Sequence, residues 1–138
     1  MRLDLILRVG AKLILPFILV FAFYVQFHGD YGPGGGFQAG AIAAGGVILY
    51  ALIFGIGKAK EAVPQILVER MIPTGVLLYA GTGVVGMFQG YHYLNYTGFH
   101  PDYLRAHEWG ILLVELGVLI TVAGTLMSLF YAFAGRGR

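Results

Sequence analysis

Apolar and polar positions fall in long blocks along this chain and do not alternate residue by residue. Apolar stretches occupy about 9–27, 37–57, 71–90 and 109–134, separated by shorter polar ones. Each approaches or exceeds the ~20 residues with which an α-helix crosses ~30 Å of hydrocarbon. The every-second-residue alternation of a membrane β-barrel is missing, and a helix satisfies its own backbone inside lipid. The pattern therefore predicts an all-α membrane protein, a single domain over 1–138 with four transmembrane helices. Pro16 is a candidate kink in the first helix. Pro73 is expected near the start of the third, where proline is tolerated.

Composition agrees. Of 138 residues, 58% are hydrophobic and only 12% charged, about half the charged share of a soluble domain. The formal net charge of +2 is small and dispersed, which argues against a nucleic-acid partner. Absence of cysteine excludes disulfides, thiolate metal sites and Cys nucleophiles. The first apolar stretch lacks a small-residue cleavage site and is followed by His28, Asp30 and more apolar sequence. It is expected to be a retained helix and not a signal peptide.

Charge sets the expected orientation. Arg2, Arg8, Lys12, Lys58, Lys60, Arg70, Arg136 and Arg138 fall on one side of the predicted membrane, leaving Arg105 alone on the other. The positive-inside rule makes both termini and the 58–70 connection cytoplasmic. Aromatic residues including Tyr24, Tyr93, Tyr96 and Trp109 gather at the opposite boundary, where amphipathic rings prefer to sit. The 58–70 connection reads either as an interfacial amphipathic segment broken by Pro64 or as an ordinary polar link.

Candidate chemistry concentrates in two places. The first is "HGDYGPGGGFQAG", residues 28–40. Pro33 fits the first turn of the second helix. Gly36, Gly40 and Ala44 then share one helical face, as do Gly35, Ala39 and Ala43. Small residues at this spacing let another backbone approach closely, and they are expected to hold the helix against partner subunits. A phosphate cradle would need a preceding strand and a following Lys and Ser/Thr; Phe37 and Gln38 stand there instead. His28 and Asp30 are either members of a proton or cation path or an ordinary solvated pair.

The second place is the fourth helix, where Glu115 interrupts an apolar run. A carboxylate at this depth costs on the order of 2.5–3.5 kcal/mol and must face protein or water. Glu108 lies seven residues earlier, about 10 Å of rise and nearly the same face. The two could form the outer mouth of an ion path; alternatively Glu115 is hydrogen-bonded to a neighbouring subunit. The glycines Gly110, Gly117 and Gly124, and Gly75, Gly81, Gly83, Gly86 and Gly90 in the third helix, read as packing positions. His92, His100 and His107 lack ligand spacing for a helical metal site. No catalytic constellation appears, so neither an enzyme, a metal nor a cofactor is expected.

The stretch "HGDYGPGGGFQAGAIAAG" resembles the signature of the MnhB-domain family, whose members are small subunits of Mrp-type multisubunit cation/proton antiporters. Members read H-x-x-x-x-P-G-G-G-F-x-x-G, which falls here on His28, Pro33, Gly34, Gly35, Gly36, Phe37 and Gly40. The resemblance extends to the order of elements over almost the whole chain. It implies a small accessory subunit in a prokaryotic plasma membrane, partnered by large complex-I-like antiporter subunits and by lipid. Such a complex exchanges Na+ or another monovalent cation for H+. Related membrane-bound hydrogenase-type complexes are the alternative parent assembly. The mid-membrane lysines of the large subunits have no counterpart here, because Lys12 is expected near a helix end.

Overall fold

A computed structural model of the chain describes residues 2–29 and 32–136. Among these described residues are five α-helices: α1 (Arg2–His28), α2 (Gly36–Phe54), α3 (Ile56–Ala62), α4 (Gln65–Phe88) and α5 (Tyr103–Ala134). Among the described residues four of these, all but α3, are long and apolar enough to cross a membrane. Large apolar side chains cover their outer surfaces, Phe17 and Phe88 among them. That is the reverse of a soluble domain and the condition for standing in lipid.

The termini of the helices follow local chemistry. Gly55, at φ 96°, stops α2 at Phe54, three residues before the apolar block ends, because few residues other than glycine accept that turn. Pro64 has φ −59° and ψ 144° and precedes α4, as proline does at a helix start. Asp102 caps α5 by accepting a 3.3 Å hydrogen bond from the Leu104 N–H. Three helices thus begin earlier than hydropathy suggests, since α1, α4 and α5 extend as polar first turns beyond the apolar blocks.

Two proline expectations are corrected. With α4 starting at Gln65, Pro73 lies well inside the helix and not near its start. Hydroxyls meet the carbonyls around it: Thr74 Oγ1 donates to the Arg70 carbonyl at 2.6 Å and Thr121 Oγ1 to that of Ile72 at 3.3 Å. Pro33 lies before α2 and not in its first turn, because Gly35 takes φ 130° and ψ −178° and delays the helix to Gly36.

Helix contacts are most extensive between α4 and α5, then between α2 and α5, then between α1 and α2. α2 and α5 run in the same direction, with Gly36 against Glu115 and Gly40 against Leu119 and Val122. A Cβ on Gly36 would overlap the Glu115 carbonyl; one on Gly40 would stand 2.8 Å from the Leu119 carbonyl oxygen. α4 runs against α5, with Gly75 beside Gly117 and Gly124 beside Val68, whereas Gly81 and Gly90 meet open space and are not packing positions, Gly90 lying beyond the end of α4 at Phe88. The glycine face of α2 is therefore occupied by α5 of the same chain, which corrects the expectation that it meets a partner subunit. Backbone-to-backbone approach of this kind is how helices associate in lipid, where no hydrophobic force draws them together.

The 58–70 region is helical and broken at Pro64, not a plain link. It folds as α3 and the first turns of α4. Ala59 is wholly buried, and the Tyr131 hydroxyl bonds the carbonyls of Ala59 and Val63 at 3.2 and 3.0 Å. These contacts staple α3 to the terminal end of α5. At the opposite end the 89–102 loop lays Tyr93 on Gly83 and Tyr96 on Gly110. Burial, with smaller contributions from Tyr79 and Tyr93, lifts the Tyr96 phenol above its ordinary range.

Candidate functional site

α5 is a 32-residue helix with different duties on different faces. Gly110, Gly117 and Gly124 are buried against other elements. At its first half another face borders a groove of about 760 Å3, whose lining includes Glu108, Leu112 and Glu115. The last turn of α1 supplies the facing wall through Gln26 and Phe27. The groove exists because α1 touches α5 only slightly, while α2 lies between and contacts both.

The structure thus brings Glu108 and Glu115 into one groove. Glu108 is exposed, whereas Glu115 is partly covered. The seven residues between them correspond to about 10 Å along the helix axis. Arg105 and His107 line the outer part. His107 Nδ1 lies 3.0 Å from the Tyr103 carbonyl; a carbonyl only accepts, so this nitrogen carries the hydrogen and Nε2 is the remaining polar atom. The ring also packs on Tyr103 at 4.2 Å and edge-on to Tyr96 at 5.8 Å.

The triglycine run explains how Glu115 is accommodated. A Cβ on Gly34 would stand 2.7 Å from the Val25 carbonyl oxygen, so this glycine lies tight against the end of α1. The Gly35 N–H then donates to that same carbonyl at 3.3 Å. Gly35 has the positive φ that turns the chain, and a Cβ there would be 3.4 Å from Glu115 Oε1 and 3.5 Å from Gln38 Oε1. Gly36 lets the first turn of α2 rest on the Glu115 backbone. The glutamate carboxylate accordingly sits beside the N-terminus of α2, where the helix dipole and unpaired amides favour negative charge.

Gln26 is the residue that sequence reasoning passed over. It is 1% exposed, and among the described residues neither its Nε2 nor its Oε1 has a hydrogen-bond partner. An unpaired buried amide costs roughly 1–3 kcal/mol, so its place in the groove wall calls for an explanation. The available signal was the one amide side chain of α1, in its last turn beside His28.

The remaining candidates are scattered. His28 ends α1 and stacks on Tyr24 at 5.1 Å; it is not among the described residues that line the groove. Asp30 lies outside the described residues. His100 Nδ1 accepts from the Asp102 N–H at 3.0 Å and so orders the loop before α5. Among the described residues no three His, Cys, Asp or Glu side chains gather as metal ligands. Phe37 is exposed and Gly40 is buried on α5.

Comparison with known proteins points the same way. Residues 6–128 match the family profile described as a domain related to the MnhB subunit of Na+/H+ antiporter. A candidate antiporter subunit mnhB2 of Staphylococcus haemolyticus (strain JCSC1435) is 33% identical over 135 residues, covering 96% of this chain and 95% of that protein. Its counterpart in Staphylococcus aureus (strain Newman) is 34% identical over the same shares.

Proposed function

The chain belongs to the MnhB family, and on that premise we propose that it is the MnhB-type component of a Mrp-type antiporter exchanging Na+ or another monovalent cation for H+. It is a multi-pass protein of the bacterial plasma membrane, with a transporter's role and not an enzyme's. Both termini and α3 face the cytoplasm in this reading, supported by eight of nine Lys and Arg residues on that side. The groove between α1 and α5 then opens outward.

The observation that carries the reading is that groove, with Glu108 toward its mouth, Glu115 deeper, and the orphan amide of Gln26 in its wall. A hydrated cation is drawn first to Glu108. Glu115, beside the α2 N-terminus, takes either a proton or a cation, and this competition for one negative charge is the minimum an exchanger requires. Gln26 supplies an amide oxygen for a cation or an N–H for water. Companion subunits, the large complex-I-like ones included, complete the path and cover part of the apolar outer surface. Glu115→Gln keeps size and polarity while removing the charge. The variant complex is expected to assemble and to lose cation-dependent proton movement in inverted vesicles. Assembly with wild-type transport would remove Glu115 from the path.

A further inference from the structure

A second recess lies at the end of the bundle that carries both termini, away from the groove. Arg8 and Lys12 on α1 and Lys58 on α3 converge there over Tyr50 and Phe54 of α2, around a space of about 270 Å3. Tyr50 is shared with an adjoining apolar pocket of about 160 Å3, bordered by Leu15 and Leu19 of α1 and Val47 of α2. Along α1 the stripe Arg8, Lys12, Leu15, Leu19 keeps the three- and four-residue spacing of one helical face. It passes from basic to apolar over about 16 Å of rise.

No counter-charge meets the three cations among the described residues. None of them forms an ion pair there, and Lys12 instead places its ammonium over the Phe54 ring at 5.7 Å. Asp4, one turn before Arg8, is exposed and likewise makes no ion pair among the described residues. Lys12 stands about three turns inside α1. The apolar block starts only at about residue 9, so this position lies near the membrane boundary, where a cation is paired or aimed at water or headgroups. Basic recesses between membrane helices that continue into apolar grooves have the shape and polarity of a lipid phosphate with its acyl chain.

We propose that this recess binds one anionic diacyl phospholipid, its phosphate on Arg8, Lys12 and Lys58 and one acyl chain along Leu15, Leu19 and Val47. The lipid supplies the missing negative charge and fills the wedge between α1, α2 and α3. It thereby tethers α1, the least buried of the spanning helices, to the rest of the bundle. This inference does not depend on the ion path.

The test uses the complete complex, purified in mild detergent and exposed to photoreactive phosphatidylglycerol or phosphatidylcholine. Phosphatidylglycerol is expected to crosslink to α1 and α3 peptides, with phosphatidylcholine far weaker. Each of Arg8→Gln, Lys12→Gln and Lys58→Gln should reduce crosslinking roughly fivefold. Arg136→Gln, at the same end but outside the recess, should leave it unchanged. Ala62→Phe, which fills the apolar pocket and keeps all three cations, should also reduce it. Equal labelling by the two lipids, or labelling indifferent to the three substitutions, would overturn the proposal. So would full competition by glycerol phosphate, which has no acyl chain, or crosslinks showing an acidic side chain of a companion protein in the recess.

Discussion

The two sides of α2 and α5 show how one short chain makes both a rigid seam and an open site. Along the seam, Gly36, Gly40, Gly75, Gly117 and Gly124 bring backbones within touching distance, and little space remains. Across the groove, α5 faces α1 with Glu108, Leu112 and Glu115, and α1 does not close in. Small residues let helices approach closely in lipid, and bulkier side chains set a wider spacing. The lesson is that the glycine motif and the glutamate belong to one device. The seam fixes the N-terminus of α2 beside Glu115, and the groove leaves the same carboxylate approachable from its other side.

The sharpest way to break the comparison is to block the seam. Gly36→Leu drives a side chain into the Glu115 carbonyl, overpacking that costs about 1–3 kcal/mol or more. The folded subunit and its complex should be lost from size-exclusion profiles of detergent extracts. Gly45→Leu on the same helix meets open space and should leave the profile unchanged; similar yields for the two variants would refute the seam.

Next in size is the effect of Glu115→Gln, expected to lower transport by about tenfold or more, as loss of a proton-carrying group does, with assembly intact. Glu108→Gln should cost less, because an exposed charge steers cations in solution that salt also screens. Its defect should shrink as ionic strength rises in a vesicle assay. A defect indifferent to salt would place Glu108 within the exchange step itself.

Gln26→Leu separates stability from function. Removing an orphan amide relieves roughly 1–3 kcal/mol of unpaired burial, so thermal stability should hold or rise while transport falls. A loss of stability would mean the amide is structurally satisfied in the complex. The smallest effect is expected far from both regions. Tyr131→Phe deletes the one O–H shared between the Ala59 and Val63 carbonyls, worth about 1 kcal/mol. It should loosen α3, read as faster hydrogen exchange there, without changing transport.

The four spans were legible because block length alone decides them. The pairing of Glu108 with Glu115 was legible because seven residues make nearly two turns, and the small-residue face of α2 because its spacing is helical. What occupies that face was not legible, since spacing names a contact surface and not its partner. The delay of α2 past Pro33 was hidden too: the positive φ of Gly35 follows from how the run packs against Val25. Gln26 carries no periodic signal, and its burial arises only when the helices pack. A segment broken at Pro64 was one of two readings of 58–70, but the docking of α3 was not legible, because the burial of Ala59 and the bond from Tyr131 depend on a residue 72 positions away.

The central claim is that the groove carries the transported ions past Leu112 to Glu115, and the chain's lack of cysteine makes it directly testable. Leu112→Cys in the assembled complex, treated from outside with a membrane-impermeant cationic thiol reagent, should be labelled and should lose cation-dependent proton movement. The wild-type complex treated alike controls for cysteines in companion subunits. Complete labelling of that cysteine with undiminished transport, or no labelling at all, would contradict the account.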